Sequence, residues 1–373
     1  MMGVSRPSGT EVWRGAAPPS PRRALEQAIL LALRRPPCVV DFSGGRDSSL
    51  VLAIATLVAR REGLPLPVPH TQRFPADAAS DEVEWQEMVI RHLDLVEWDV
   101  VRLTDEMDVI GKRARDFVST YGVLFPATLF VLAESLELAR GGSRLTGEGG
   151  DEVLGVRRVI HLRLALESPS RLARPGHLKK TVEAVAPRAV RFGLMRSRYS
   201  RSLPCARWLR PRALRRVAVQ MARDDASEPL DWAASLRWHL RRRVIAALSS
   251  NATTIAADHD VLHLDPLLEE RFVASFARAG SHLGFRNRTE AMRYIAEDLL
   301  PPAILERRTK SRFNAAYFTE AAREFVEHWD GTGVDDDLVD AERLREAWLS
   351  ELPPAPSFPL LQQARRAQSS RTG

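Results

Sequence analysis

The sequence contains only two cysteines, Cys38 and Cys205, which lie far apart in the chain. Two distant cysteines form neither a disulfide framework nor a zinc-binding cluster, so we expect a protein of the reducing cytoplasm. The longest apolar runs, such as residues 50–59, are too short to span a bilayer, and the first residues contain no signal-peptide core. These absences argue against the disulfide-rich secreted and membrane-spanning classes, and we expect no membrane partner.

Two common nucleotide-binding motifs are also missing. No Gly-Lys-Ser/Thr ends a Walker loop, and no Rossmann glycine fingerprint follows a predicted strand. The nine histidines show no convincing metal spacing, and the polar cluster over 258–263 is more typical of a solvated turn than of a zinc site. A phosphate or metal site must therefore rest on a different pattern.

A loop rich in glycine and serine, Ser43–Ser49, lies between two apolar segments. Residues 38–42 predict a buried strand and residues 50–55 predict the first turns of a helix. Glycines permit a positive φ and close approach of the backbone, and free amides at a helix start attract anions. Asp47 suits an anion site only if a metal ion lies between its carboxylate and the phosphates. We therefore predict a phosphate loop.

A second motif, Leu145–Gly155, places three acidic residues among four glycines directly after another predicted strand. These carboxylates would repel one another unless a cation or a basic reactant lies among them. An acidic glycine turn without function is the simpler interpretation of this motif alone. The phosphate loop earlier in the chain makes that interpretation the weaker one.

Strands and helices alternate along the first half of the chain. This alternation predicts an α/β fold with a doubly wound parallel sheet, whose ligands bind at the carboxyl ends of the strands. A long predicted helix over 232–248 favours a helical C-terminal part. The predicted strands cover 38–42, 68–72, 96–103 and 143–146, and the predicted helices include 20–35, 80–92 and 126–140.

The two motifs together resemble those of the synthetase domain of asparagine synthetases and their relatives, which include β-lactam synthetase and the lasso peptide cyclases. The resemblance rests on Ser-Gly-Gly-x-Asp-Ser-Ser at 43–49 and Gly-Glu-Gly-Gly-Asp-Glu at 147–152. Leu262–Asp265 is similar to the Pro-Phe-Leu-Asp turn of that family, and Arg308–Phe313 is similar to its Arg-x-Lys-x-x-Phe. The similarity runs from about residue 20 to about residue 348 and implies a PP-loop fold of the adenine nucleotide alpha hydrolase type.

The resemblance also implies a reaction and its reactants. ATP and Mg²⁺ are expected, and a carboxylate is adenylated with release of pyrophosphate before an amine attacks to give an amide and AMP. Glu148 is expected to act as the general base, and Lys310 to neutralise charge on the phosphates or on the tetrahedral intermediate. Asp47 and Asp151 are expected to bind the magnesium ion. ATP and pyrophosphate are expected at Ser43, Gly44, Gly45, Asp47, Ser48, Ser49 and Gly147.

Four segments follow from these patterns. We expect a disordered N-terminal segment over 1–19 and a PP-loop ATP-binding core over 20–160. A mainly helical part over 161–352 is expected to complete the synthetase domain on the substrate side. The last residues, 353–373, are rich in proline, serine and arginine and are expected to be disordered.

The sequence departs from glutamine-dependent asparagine synthetase at its start. Met2 stands where that enzyme has a nucleophilic cysteine, so we expect no glutaminase domain before the synthetase part. The nitrogen then comes from free ammonia, from a separate partner subunit or from an amine on the substrate. We favour a peptide or specialised metabolite, as in lasso cyclases and other natural product biosynthesis, over aspartate with ammonia. A non-catalytic ATP-binding scaffold is the other alternative, although the intact Asp47, Glu148, Asp151 and Lys310 argue against it.

A basic segment over 188–216 interleaves arginines with Phe192, Tyr199 and Trp208. Basic side chains beside aromatic ones occur in nucleic-acid-binding proteins, but also on surfaces that bind acidic peptides and on solvated surfaces. We favour the solvated surface, then a peptide or protein partner. Nucleic acid is the least favoured partner.

Overall fold

A five-stranded parallel sheet forms the centre of the protein. The structure, a computed structural model, describes residues 19–75, 81–203, 206–309 and 316–372. The strand order is β3-β2-β1-β4-β5, and every neighbouring pair is parallel. This confirms the α/β doubly wound parallel sheet with a helical C-terminal part. The strands are β1 (Cys38–Asp41), β2 (Val68–Arg73), β3 (Asp99–Arg102), β4 (Ser143–Leu145) and β5 (Leu262–Leu264).

Helices connect the strands and form most of the remaining chain. The first six are α1 (Pro21–Leu33), α2 (Arg46–Glu62), α3 (Val83–His92), α4 (Lys112–Tyr121), α5 (Ala133–Leu138) and α6 (Gly150–Leu154). The next six are α7 (Val159–Glu167), α8 (Pro175–Val185), α9 (Arg188–Arg201), α10 (Pro211–Ala226), α11 (Trp232–Leu240) and α12 (Arg243–Asp258). The last six are α13 (Glu270–Ala279), α14 (Arg288–Ala296), α15 (Pro302–Glu306), α16 (Glu320–Glu327), α17 (Ala341–Trp348) and α18 (Phe358–Thr372).

The direction in which the chain crosses the sheet changes between β1 and β4. The chain leaves β1 toward β2 and β3 on one side, then returns to add β4 and β5 on the other. Sheets of this kind bind ligands where the strand order reverses, at the carboxyl ends of the two strands concerned. The two motifs singled out in the sequence directly follow β1 and β4, so the topology brings them to the same crevice.

Apolar side chains cover both faces of the sheet. Val40 lies on one face, in a large core that includes Ile29 of α1 and Leu50 of α2. Val39 lies on the other face, with Leu136 of α5 and Ile255 of α12. Burial of both faces explains why β1 is a short apolar run rather than an alternating one.

The end of the chain is folded, so the prediction of a disordered tail over 353–373 is wrong. Phe358–Thr372 form α18, and Phe358 and Leu361 are buried against Trp329 and Trp348 in a second core. Polar residues dominate this segment, but a few apolar side chains at helical spacing meet the second core and fix the helix.

Three other predicted boundaries differ from the structure. The predicted helix over 126–140 is a 3-10 turn at Leu129–Leu132 followed by the short α5. The predicted helix over 232–248 is divided between α11 and α12, because the backbone of Arg242 is extended. Finally, β5 belongs to the sheet although it lies within 161–352, so the core crosses the predicted boundary at residue 160. Residues 1–18 lie outside the described residues.

Candidate active site

A cleft of about 640 Å³ opens at the carboxyl ends of β1 and β4. It is lined by the phosphate loop, by the acidic glycine motif and by residues that come from much later in the chain. The predicted site residues on its wall are Ser43, Gly45, Asp47, Ser48, Gly147, Glu148 and Asp151. Gly44 and Ser49 are buried beneath this wall, and Lys310 lies outside the described residues.

The phosphate loop is held by hydrogen bonds among its own serines. The Ser43 amide donates to Ser48 Oγ over 3.2 Å, and the Gly45 amide donates to Ser43 Oγ over 3.3 Å. Gly44 has φ +82°, and a Cβ there would lie 2.8 Å from Gln86 Cγ, so no larger residue fits. The loop leads directly into α2, whose first amides and dipole favour an anion at this end.

The acidic motif packs directly on the phosphate loop. A Cβ at Gly147 would lie 2.7 Å from the Ser48 amide nitrogen, and a Cβ at Gly150 would lie 2.1 Å from Asp47 Cγ. Glycine at these two positions therefore lets the two loops approach to backbone contact. Their side chains consequently face one site rather than two.

Arg288, at the first turn of α14, bridges the two motifs. Its guanidinium donates to Asp47 through Nη2 and to Asp151 through Nη1. Burial alone would lower the pKa of Arg288, but the two carboxylates outweigh it and raise that pKa. The sequence analysis did not single out Arg288, because nothing near it in the sequence resembles a motif.

The surroundings of Asp47 and Asp151 indicate whether a metal ion fits between them. Asp47 Oδ1 is buried and has no hydrogen-bond partner among the described residues, so this carboxylate still has an oxygen to offer. Carboxylate oxygens are hard ligands of the kind that Mg²⁺ prefers. Within the described part of the chain, no three or more His, Cys, Asp or Glu side chains gather as a metal site. The residues thus fit a Mg²⁺ ion that takes its other ligands from phosphate and water, as Mg²⁺ usually does.

Glu148 projects into the cleft beside the loop. Burial by the surrounding protein raises its pKa to about 7, and the nearby charges of Asp265 and Glu152 add to the effect. More than a third of the residue is nevertheless open to solvent, because the cleft is open on that side. Tyr317 lines the same cleft, and burial, with the charge of Glu148, raises its pKa to about 12. A carboxyl poised near neutral pH can accept a proton from a reactant in the cleft.

A chain of polar contacts forms the floor beneath Glu148. Arg144 forms an ion pair with Asp41, and its Nη1 lies 2.9 Å from His263 Nδ1. His263 Nε2 lies 3.2 Å from Asp265 Oδ1, and the hydroxyl of Thr146 donates to the same oxygen over 2.6 Å. Burial acts to raise the pKa of Asp265, but its contacts with His263 and Thr146 outweigh this and lower it. Asp265 therefore stays ionised and keeps a negative charge near Glu148.

A buried ion pair fixes the other side of the phosphate loop. Arg307 pairs with Glu82, and each side chain is only 5% exposed. Arg307 Nη1 also donates to the carbonyl of Gly44 over 3.1 Å. Gln86 Nε2 donates to the carbonyl of Ser43 over 3.2 Å. These contacts tie the loop to α3 and to the segment after α15, so its shape does not depend on its own sequence alone.

A family model described as asparagine synthase matches residues 21–367. The chain belongs to the asparagine synthase family. A search of curated proteins found no significant match. Members of this family are ATP-dependent ligases that form amides from a carboxylate and an amine, and the family binds ATP.

The family match covers every strand of the sheet and reaches into α18. It therefore includes β5 and the second core as well as the phosphate loop, which explains why the cleft draws residues from both halves of the chain. None of the described helices is long and apolar enough to cross a membrane.

The basic segment is mainly surface in this family member. Arg191 is buried and donates to the carbonyls of Asp225, Ala226 and Glu228, so it supports the fold. Trp208 is buried, so its ring is not presented for stacking, whereas Phe192 and Tyr199 are half-buried and the hydroxyl of Tyr199 donates to Asp225. Several arginines of α9 are exposed.

Proposed function

We propose that this protein is an AMP-forming ligase that adenylates a carboxylate and passes the acyl group to an amine. The carboxylate oxygen attacks the α-phosphorus of ATP, and the bond to pyrophosphate breaks. The amine then attacks the acyl carbon, loses a proton and displaces AMP. One observation carries the proposal: the phosphate loop and Glu148 lie on the wall of a single cleft. The reducing cytoplasm suits a chain whose Cys38 is a buried free thiol.

The phosphate loop is the proposed site of the pyrophosphate group. Ser43, Gly45 and Ser48 line the cleft at the start of α2. Asp47 and Asp151 would hold Mg²⁺, which neutralises phosphate charge when bound. Lys310 is proposed to add a positive charge toward the phosphates or the tetrahedral intermediate, on the strength of its place in the Arg-x-Lys-x-x-Phe pattern.

Glu148 is the proposed general base of the second step. Its pKa of about 7 keeps a useful fraction ionised at neutral pH while leaving it basic enough to take the proton of an ammonium or amine. The ionised Asp265 nearby favours a cationic amine over a second anion in this part of the cleft.

We propose a peptide or a specialised metabolite that carries an amine as the substrate. Support comes from α8 and α9, which bury only Ala184 and Arg191 respectively. Both helices present exposed apolar side chains at helical spacing: Leu178, Val182 and Val185 on α8, and Val190 and Leu194 on α9. Helices that bury so little are marginal alone, and exposed apolar patches often mark interaction sites.

The charge of this surface favours an acidic polypeptide. Glu183 is the only acidic residue over 169–202, among many arginines and lysines. The surface is also connected to the cleft: Glu167, at the end of α7, accepts a hydrogen bond from Arg286 over 2.9 Å, two residues before Arg288. This contact joins α7, which packs against α8, to the segment that leads into α14. Free aspartate with ammonia needs no such surface.

ATP–pyrophosphate exchange in the presence of Mg²⁺ tests the proposal. The assay offers aspartate, or small peptides encoded beside the gene, each in a separate reaction. We expect exchange with a peptide and its loss in Asp47→Asn. Exchange with aspartate, followed by asparagine when ammonia is added, would instead support ammonia-dependent asparagine synthesis. Binding of ATP without exchange on any substrate would support a non-catalytic scaffold.

A further inference from the structure

Arg288 holds both carboxylates to which the proposed function assigns the metal ion. Its two terminal nitrogens donate to Asp47 and Asp151, so its positive charge lies between two converging carboxylates. Two carboxylates that face one point need a cation between them, since otherwise their repulsion raises the free energy of the folded state. In this structure the cation is a guanidinium that belongs to the protein.

The bridge is built in a way that allows the side chain to leave. The Asp151 side chain is 49% exposed, so water can replace the guanidinium there. Arg288 Nε and Asp47 Oδ1 are buried without hydrogen-bond partners among the described residues, so the contact is not a saturated one. A structural salt bridge that only stabilised the fold would be expected to satisfy these atoms.

The helix that carries Arg288 does not depend on the bridge. Asn287 caps α14 by accepting from the Glu290 amide over 2.9 Å. Met292 and Ile295 anchor the helix in the large core, with 0% and 1% exposure. The Arg288 side chain can therefore change partners while the backbone of α14 stays in place.

We propose that Arg288 is an internal counter-ion that occupies the metal position of the ligand-free protein and moves to the phosphates when a nucleotide enters. This inference rests on the proposed function, because it needs Asp47 and Asp151 to be metal ligands. A metal ion that binds without a nucleotide must displace the Arg288 guanidinium from both carboxylates. The guanidinium then has no anion to pair with. A metal ion that arrives with a nucleotide supplies phosphate oxygens, to which a guanidinium donates well.

Arg46 lies beside this exchange. Its Nη1 is 3.5 Å from Oγ1 of Thr289, the residue next to Arg288, and both arginines line the cleft. Two neighbouring guanidiniums repel each other, so an anion between them is favoured. Metal and nucleotide should therefore bind with positive coupling, and Arg288 is the residue that carries it.

Binding of Mn²⁺ to the protein, measured as the loss of its free electron paramagnetic resonance signal beyond the loss in a blank that contains the nucleotide without protein, tests the inference without turnover. We expect Mn²⁺ to bind the wild type at least tenfold more tightly when a non-hydrolysable ATP analogue is present. Without nucleotide, Mn²⁺ should bind Arg288→Gln at least tenfold more tightly than it binds the wild type. The analogue should tighten Mn²⁺ binding less in this variant than in the wild type, because it then adds phosphate ligands without also removing a competing guanidinium. Arg286→Gln, an exposed neighbour that pairs with Glu167, is the matched control and should behave as the wild type.

The direction in which Arg288→Gln changes the affinity for Mn²⁺ distinguishes a counter-ion from a merely structural arginine. Loss of a merely structural arginine would leave Mn²⁺ binding unchanged or weaker, and either result for Arg288→Gln would overturn the inference. Arg288→Lys is a second variant that keeps the charge but cannot bridge two carboxylates; it should bind Mn²⁺ with intermediate affinity.

Asp47→Asn separates this inference from the proposed function. If Asp47→Asn abolishes Mn²⁺ binding with the analogue but Arg288→Gln changes nothing, only the counter-ion role is wrong. If Mn²⁺ fails to bind the wild type even with the analogue, the metal assignment fails and the inference fails with it.

Discussion

Replacing Glu148 by glutamine should leave the adenylation half of the reaction intact and remove most of the amide-forming half. Glutamine has nearly the same size as glutamate and cannot accept the proton of the attacking amine. General bases contribute roughly 10²- to 10⁴-fold to a rate, and we expect amide formation to fall within that range. ATP–pyrophosphate exchange, which needs no base at this position, should fall less than about threefold if the base acts only in the second step.

The pH dependence follows from the pKa of about 7 that burial gives Glu148. Below that pH the fraction of ionised carboxylate falls about tenfold for each pH unit, so amide formation by the wild type should fall with the same slope. Above it the rate should level off. The residual rate of amide formation by Glu148→Gln should not show this fall below pH 7.

The same group affects stability with a definite sign. Its folded pKa of about 7 lies above the ordinary value of about 4.5, so the native state becomes relatively less stable as the pH rises between these values. At about 1.4 kcal/mol per unit the full shift corresponds to about 3 kcal/mol, but screening by solvent in the open cleft reduces this to about 1 kcal/mol. Glu148→Gln should thus be more stable than the wild type by about 1 kcal/mol at pH 8, and equally stable below pH 4.5.

Three measurements check this prediction: exchange of pyrophosphate, formation of the amide product, and urea unfolding at pH 5 and pH 8. Glu152→Gln removes a neighbouring charge that helps to raise the pKa of Glu148, so it should move the fall in rate to a lower pH without abolishing it. An equal loss of exchange and amide formation in Glu148→Gln would refute the assignment of Glu148 to the second step. If the rate of amide formation by Glu148→Gln still falls below pH 7, the titrating group is not Glu148.

Three further predictions concern the frame of the site. Gly150→Ala places a Cβ 2.1 Å from Asp47 Cγ and should displace that carboxylate, which would lower exchange at least tenfold with a stability loss of about 1–3 kcal/mol by urea unfolding. Glu82→Gln leaves the buried Arg307 without its partner and should cost about 3–5 kcal/mol in the same assay. Leu361 lies in α18, within the segment that the sequence analysis expected to be disordered, and it is 0% exposed. Leu361→Ala should therefore lower the free energy of unfolding by about 2–5 kcal/mol. An unchanged free energy of unfolding would mean that α18 does not pack on the second core.

The sequence predicted the parts of the fold that local patterns determine. The β-branched run before the phosphate loop and the acidic glycine motif after β4 each indicated the end of a strand, and both follow strands in the structure. Alternation of strands and helices predicted a parallel sheet, because parallel neighbours need a crossover. The tail was misjudged because composition alone does not reveal that Phe358 and Leu361 meet a core built from distant tryptophans.

The counter-charges of the site could not be predicted in the same way. Arg288 lies 241 residues from Asp47 and 137 from Asp151 in sequence, and Arg307 lies 225 from Glu82. No spacing rule connects residues at such separations. An arginine at a helix start is most often solvated, so only the fold identifies which one meets the carboxylates.

The motifs were predictable and the compensating charges were not, for a physical reason that bears on how the protein works. The phosphate-binding groups are backbone amides and short side chains, whose geometry is set by a few adjacent residues and is therefore visible as a motif. The compensating charges must change partners when a nucleotide enters, so they belong on elements that are anchored elsewhere. Arg288 satisfies this condition on α14, whereas Arg307 is locked to Glu82 and to the Gly44 carbonyl. The two arginines thus have different roles: Arg307 fixes the phosphate loop, and Arg288 is the proposed mobile counter-ion.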